Sequence, residues 1–369
     1  MKIVSVEILR VDVPLVGNFK SAHFEANVQP CVVVRVRTDD GFEGAGDVEP
    51  HAGDSSHDRD ETADALEHKI APALIGADPR RPREAARIME AAAPGYAEAK
   101  AVVDIALADI HGKSLGVPVY ELLGGRVKDE IFFNAWIGIQ APEKAAAEAL
   151  GYCEKGWTSC KVKASGDVES DAARVHAVRG AVGDRMAIRI DANESYRDVE
   201  SAVAFAQEVR SADPVLFEQP VSRDDIGTLA RIRRAIDIPV MADECLYGLD
   251  SLLHIIKAEA ADIVKVKVMK HGSLIATREI AAAAEAAGMR IVIGHGFGLT
   301  GNTLAEIHVA ATSNAFFPQI ESVGRMKMKD DLVDQPMDIT AGRVLVPQGP
   351  GLGVTLNEDK LEMYRVKGC

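Results

Sequence analysis

The chain has 369 residues, with 42 basic against 56 acidic side chains for a net charge of −14, and five cysteines. That length suits one large barrel or two ordinary domains and excludes a disulfide-stapled miniprotein, and an acidic balance with no basic run excludes a nucleic acid partner. Cys31, Cys153, Cys160, Cys245 and Cys369 lack CxxC spacing, and no apolar run is long enough for a leader or a membrane span, so the composition implies a soluble, reduced, cytoplasmic protein with no membrane partner.

The opening MKIVSVEILRVDVPLV alternates as a strand does, and CVVVRVRTDDGFEGAG carries a hairpin signal at Asp40-Gly41 between two apolar runs. Helical periods follow in DETADALEHKIAPALIG and AKAVVDIALADIHGKSLG. Strands first and helices second predict an N-terminal α+β domain over 1–125. Over 126–345 the pattern becomes a short β-like run followed by an Ala-rich helical run. The runs are IFFNAWIG, TSCKVKA, MAIRIDAN, PVLFEQP, IPVMADE, ADIVKVKV, MRIVIGHG and AFFPQIES, eight in all. Eight such units predict a (β/α)8-type barrel, with an open doubly wound sheet as the alternative. The Gly/Pro-rich stretch near the end predicts that 346–369 leave the barrel and return to the first domain.

Barrel active sites are built where the strands end, so the last residue of each run carries the chemistry. From the second run onward these are Lys163, Asp191, Glu218, Asp243, Lys267, His295 and Glu321, spaced 24 to 28 residues apart and all ionisable. Any one acid alone reads equally well as a strand end or helix cap. Three acids on adjacent strands, Asp191, Glu218 and Asp243, would repel one another without a cation. A hard divalent ion, Mg²⁺ with Mn²⁺ as the alternative, removes that conflict with oxygen ligands alone. Strands two and six lie opposite each other in an eight-stranded barrel, so Lys163 and Lys267 face across that ion, where an amine held neutral can act as a base. Period-two alternation puts Lys161 on the same side as Lys163 but one layer deeper, suited to a substrate carboxylate or to tuning Lys163, with a structural pairing to Asp191 as the bland reading. The chemistry predicted is removal of a proton next to a carboxylate, which leaves an enolate in need of concentrated positive charge.

With these motifs the sequence resembles the enolase superfamily, and within it the mandelate racemase/muconate lactonizing enzyme family, muconate lactonizing subgroup, two-lysine type. KVK is similar to the family's KxK, DAN, FEQP and ADE to its three ligand motifs, and VKVKVMKHGS to its sixth-strand segment; AKAVVDIALADIHGKSLGVPVYELLGG and PGLGV resemble its pre-barrel segment and its tail. The resemblance implies a modified TIM barrel under an N-terminal capping domain, Lys163 and Lys267 as bases, Asp191, Glu218 and Asp243 as metal ligands, Asn193 and Glu244 in support, and a homo-oligomer. Racemisation or epimerisation of a small-molecule carboxylate is the first reading, with cycloisomerisation or syn-dehydration as alternatives. Two departures stand out: the usual GxGE is GAGD, ending in Asp47, and the seventh strand ends in His295 in a segment like the acid-sugar dehydratases, whose partner aspartate is replaced by Lys267. His295 is therefore expected to bind substrate, with Glu321 beside it. The loops holding His23 and His51 are expected to cap the barrel mouth and select a polar or anionic substrate.

One competing signal is GFGLTG, Gly296–Gly301, which formally satisfies GxGxxG with Glu321 downstream and would suit an NAD-dependent oxidoreductase. It falls in the seventh unit and ignores the acids and lysines, so its glycines are read as letting backbone N–H groups approach a carboxylate. A binding protein on a retired barrel is a third class, disfavoured by the complete ionisable rim.

Overall fold

The computed structural model describes residues 1–20, 25–50 and 55–367. Among them no helix is long and apolar enough to cross a membrane. The N-terminal capping domain begins with an antiparallel sheet of β1 (Ile3–Lys20), β2 (Glu25–Thr38) and β3 (Glu43–Val48). Gly41 turns the β2–β3 hairpin at φ +86°, a left-handed conformation that costs glycine nothing.

β2 is central and buried on both faces, which explains its unbroken run of apolar residues. Val32, Val34 and Val36 pack toward the domain's helices, while Cys31 and Val33 join Leu9, Val11, Val13 and Leu15 in a second core that reaches Trp136, Phe297 and Leu299 at the barrel mouth. Helix Ala97–Leu115 lies so close to the first face that a Cβ on Gly46 would stand 2.2 Å from the Val102 carbonyl oxygen. Its buried acids cap backbone elsewhere: Asp104 accepts from the N–H of Leu274 and Asp109 from that of Leu352, each at 2.8 Å. These bonds tie the capping domain to the barrel and to the C-terminal segment.

In the barrel, β4 (Glu130–Phe133) and β5 (Ala135–Ile137) form one strand broken at Asn134. β6 (Ser159–Lys163), β7 (Ala187–Asp191), β8 (Pro214–Glu218), β9 (Val240–Ala242), β10 (Ile263–Val266) and β11 (Arg290–Ile293) continue the parallel order from β5. β12 (Gln319–Ile320) pairs with β4 in parallel, and the Glu321 N–H donates to the Ile293 carbonyl at 2.8 Å, so the eighth strand links the last to the first. Helices alternate with the strands, as the eight repeats predict. β13 (Arg343–Leu345) pairs antiparallel with β4, after which the chain bridges Pro118 at Gly351 and Val11 at Arg365.

The barrel interior is layered. Leu216, Met241, Ile263 and Val292 form an apolar plug at its base. Two residues further along the same strands, the period-two alternation that aims those side chains inward brings in Glu218, Asp243 and Lys265. The charged layer therefore rests on a dry floor and opens only at the strand ends, toward the capping domain.

Candidate active site

Above that floor the structure brings together six of the seven strand-end residues predicted from the sequence, Lys163, Asp191, Glu218, Asp243, Lys267 and Glu321, and adds Arg189, Lys265 and Lys270. Lys161 Nζ lies 2.6 Å from Glu321, 2.8 Å from Asp191 and 3.1 Å from Glu218. Lys265, also on the inner face, contacts Glu218 at 3.0 Å and Glu321 at 2.8 Å. Toward the rim, Lys163 reaches Asp191 and the Asn193 amide oxygen, each at 2.6 Å, while Lys267 and Lys270 hold the two oxygens of Asp243 at 2.8 and 2.7 Å. Arg189 donates to Glu321 at 2.9 Å. All of these side chains are buried.

Burial alone pushes the Lys161 ammonium down, but Asp191, Glu218 and Glu321 outweigh it and hold its pKa above the ordinary lysine value. Lys265 is held well above in the same way, by Glu218 and Glu321. Both inner lysines therefore stay charged, and Lys161 is an electrostatic fixture. Among the carboxylates, burial raises Asp191 but Lys161, Lys163 and Lys265 bring it down to about 2. Glu218 goes the other way, to about 8, because burial and the nearby Asp191 charge disfavour a second anion more than Lys161 and Lys265 favour it. The divergence is the signature of carboxylates crowded together. Asp191, Glu218 and Asp243 thus offer an all-oxygen donor set from three adjacent strand ends whose mutual repulsion a divalent cation would relieve, and the set fits Mg²⁺ or Mn²⁺.

The backbone just beyond the acids is strained. Asn193, Glu194 and Gln219 have φ of 42°, 66° and 33°, in the left-handed region that costs a side-chain-bearing residue. The strain aims polar groups: the Asn193 amide donates to Glu244 at 2.9 Å while its oxygen accepts from Lys163, and the Gln219 side-chain oxygen accepts from the Asp243 N–H at 3.0 Å. Asn193 and Glu244 thereby link the β6, β7 and β9 ends of the rim.

His295 is fully buried between two acids rather than turned toward the lysines. Its Nδ1 lies 2.6 Å from Glu306 and its Nε2 3.2 Å from Glu49 of the capping domain. Burial disfavours the imidazolium, yet Glu306 and Glu49 raise its pKa to about 9. The GxGxxG segment is close-packed around this cluster. A Cβ on Gly298 would sit 1.6 Å from His295 Nε2, and one on Gly301 2.1 Å from Asp47, which accepts the Asn302 N–H at 3.0 Å. Its carboxylate partner is thus the protein's own Asp47. His23 and His51 lie outside the described residues.

Trp136 completes the mouth, its ring centroid 4.2 Å from Lys161 Nζ and 4.7 Å from Lys163 Nζ. An unrelated cluster on the capping domain's surface, Asp64, Glu67 and His68, brings ligand atoms within 4.8 Å of one another. Arg10 already pairs with both of those acids at 2.5 Å, so a cation is in place there, remote from the barrel chemistry.

Lysines around strand-end carboxylates at the mouth of a barrel define an enzyme of the isomerase type, one that takes an α-proton from a carboxylate substrate by a metal-assisted enolate route. Residues 3–124 match the mandelate racemase/muconate lactonizing enzyme N-terminal domain, and residues 144–360 the enolase C-terminal domain-like family. The chain is 33% identical over 366 residues to N-succinyl-L-Arg/Lys racemase of Bacillus cereus, covering 99% of this chain and 98% of the relative. To muconate cycloisomerase 1 of Rhodococcus opacus it is 34% identical over 374 residues, covering 99% and 98%. The crystal structure of the N-succinyl Arg/Lys racemase superposes with a TM-score of 0.95 at 32% identity over 99% of this chain and 98% of that one. That of the Pseudomonas fluorescens muconate lactonizing enzyme bound to muconolactone gives 0.94 at 30% over 99% of both. The chain belongs to the mandelate racemase/muconate lactonizing enzyme family of the enolase superfamily.

Proposed function

We propose that this protein racemises or epimerises a small carboxylate by transferring a proton from one face of its α-carbon to the other. The observation that carries this reading is the pairing of Lys163 with Asp191 and of Lys267 with Asp243, from β6 and from the residue after β10, with three strands between them either way round the barrel. One amine takes the α-proton; the C–H electron pair moves into the carboxylate and gives the enolate; the other ammonium returns a proton to the opposite face. Asp191, Glu218 and Asp243 would hold Mg²⁺, or Mn²⁺ in its place, which supplies positive charge to the substrate carboxylate when bound. Lys161 and Lys265 remain ammonium ions beneath and add fixed positive potential.

Cycloisomerisation is the second reading, favoured by the 34% identity to a muconate cycloisomerase over nearly the whole chain. It needs one lysine as proton donor and leaves the other without a chemical task. Incubation in D₂O with Mg²⁺ separates the two, using N-succinyl amino acids, dipeptides and cis,cis-muconate followed by NMR. Deuterium at an α-carbon with loss of stereochemistry supports the first reading. Lactone formation from muconate without α-exchange in the amino-acid derivatives replaces it with the second. No turnover of any of these compounds would count against both.

A further inference from the structure

Trp136, at the middle of β5, is 7% exposed, and its indole Nε1–H has no hydrogen-bond partner among the described residues. A buried N–H left unpaired is uncommon, because its lost hydration goes uncompensated. The other tryptophan, Trp157, is also buried, but its Nε1 donates to the Thr340 carbonyl at 3.0 Å. The surroundings of Trp136 are built to hold its ring in place. Lys161, Lys163 and Lys265 put their ammonium nitrogens 4.2, 4.7 and 5.6 Å from its centroid, a cation–π arrangement. Phe19 of the capping domain and Phe297 after β11 flank it at 6.4 and 5.7 Å between centroids, and neither offers an acceptor. Gly296, at φ +105°, gives it room, since a Cβ there would lie 3.0 Å from the ring. The ring therefore forms a wall of the lysine chamber with a free donor in its plane.

We propose that Trp136 is a substrate-binding residue whose Nε1–H donates to an oxygen of the bound carboxylate substrate, while its ring keeps water from the lysine side of the mouth. This rests on the reading of the barrel mouth as an enolate-forming site. An aromatic donor suits an acceptor-rich anion and a compact substrate body, because the ring occupies part of the mouth.

The test uses the full-length protein loaded with Mg²⁺, ¹⁵N-labelled at tryptophan, with oxalate as a planar dianionic mimic of the enolate, kept well below the Mg²⁺ concentration. Two indole N–H resonances are expected, assigned with the Trp136→Phe variant. Oxalate should shift the Trp136 resonance and leave that of Trp157 in place. Trp136→Phe keeps an aromatic ring but removes the donor together with part of a buried indole, so a modest fall in melting temperature is expected in any case and the affinity decides. Its oxalate affinity should fall about tenfold or more, the usual effect of losing a hydrogen bond to an ion. A merely structural role would lower the melting temperature and spare affinity. If oxalate binds but the Trp136 signal stays still, or the variant binds as wild type does, the proposal fails and the enolate reading stands. If oxalate does not bind the Mg²⁺-loaded protein at all, both fail.

Discussion

His295→Gln tests the ion cluster that joins the two domains. In the folded protein His295 has a pKa of about 9 against an ordinary 6.5, because Glu306 and Glu49 outweigh the cost of burial. A histidine whose folded pKa is raised contributes stability that is fully present below about pH 6.5 and is lost as pH rises through about 9. The difference corresponds to about 3 kcal/mol. Asp47, raised to about 8 by burial and by Glu49, adds a loss of the same sign at lower pH, so the informative quantity is wild type minus variant. Glutamine fills the space without the charge and leaves Glu49 and Glu306 facing each other. Urea unfolding followed by circular dichroism should show the variant about 3 kcal/mol less stable near pH 6 and within about 1 kcal/mol of wild type near pH 10. A gap that stays constant across that range would mean that His295 is neutral in the fold, and the account of the cluster would be wrong.

Other substitutions probe the barrel mouth and its packing. Lys163→Ala and Lys267→Ala should each keep a wild-type circular dichroism spectrum and lower α-proton exchange by about 10²- to 10⁴-fold, and full exchange in either would remove that lysine from the proposed pair. Asp191→Asn should weaken Mg²⁺ binding measured by calorimetry; unchanged affinity would exclude Asp191 from the ligand set. Lys265→Met leaves Glu218 and Glu321 short of a buried cation and should cost about 3 kcal/mol in unfolding, whereas a neutral result would mean the inner layer is paired without it. Gly298→Ala drives a methyl into His295 and should cost about 1–3 kcal/mol, unless the loop after β11 shifts to admit it, which the His295 NMR signals would report.

The barrel was legible because its repeat writes one strand and one helix per unit, and its chemistry because each strand's last residue faces the mouth. The same rule reached further than it was taken. Arg189 and Lys265 stand two residues before Asp191 and Lys267 on the inner faces, and KVK at 265–267 repeats the KVK at 161–163, yet of this inner layer the sequence reading singles out Lys161 alone. Trp136 carries no signal in the sequence, because an aromatic residue in an apolar run has no local sign of an unpaired N–H. The pairing of His295 is out of reach for a different reason. Its partner Glu49 comes from the capping domain, and no spacing rule connects residues that meet only when two domains close. The glycines of GFGLTG belong with it, since what forbids a Cβ at Gly298 and Gly301 is His295 and Asp47.

The inner and outer lysines differ in a way that bears on the proposed mechanism. Lys161 and Lys265 bridge Glu218 and Glu321, whereas Lys163 and Lys267 reach Asp191 and Asp243 at the rim. An amine bound to several buried carboxylates is a poor proton carrier, because giving up the proton leaves those anions uncompensated. Lys161 and Lys265, held as ammonium ions by the carboxylates they bridge, put fixed positive potential beneath the mouth. Above an apolar plug, that potential is little screened by water. A substrate carboxylate supplies one negative charge, and its enolate supplies another as the proton leaves. Fixed positive potential from the inner lysines therefore stabilises the doubly charged enolate more than the singly charged substrate, which is the condition for lowering the barrier to taking the α-proton.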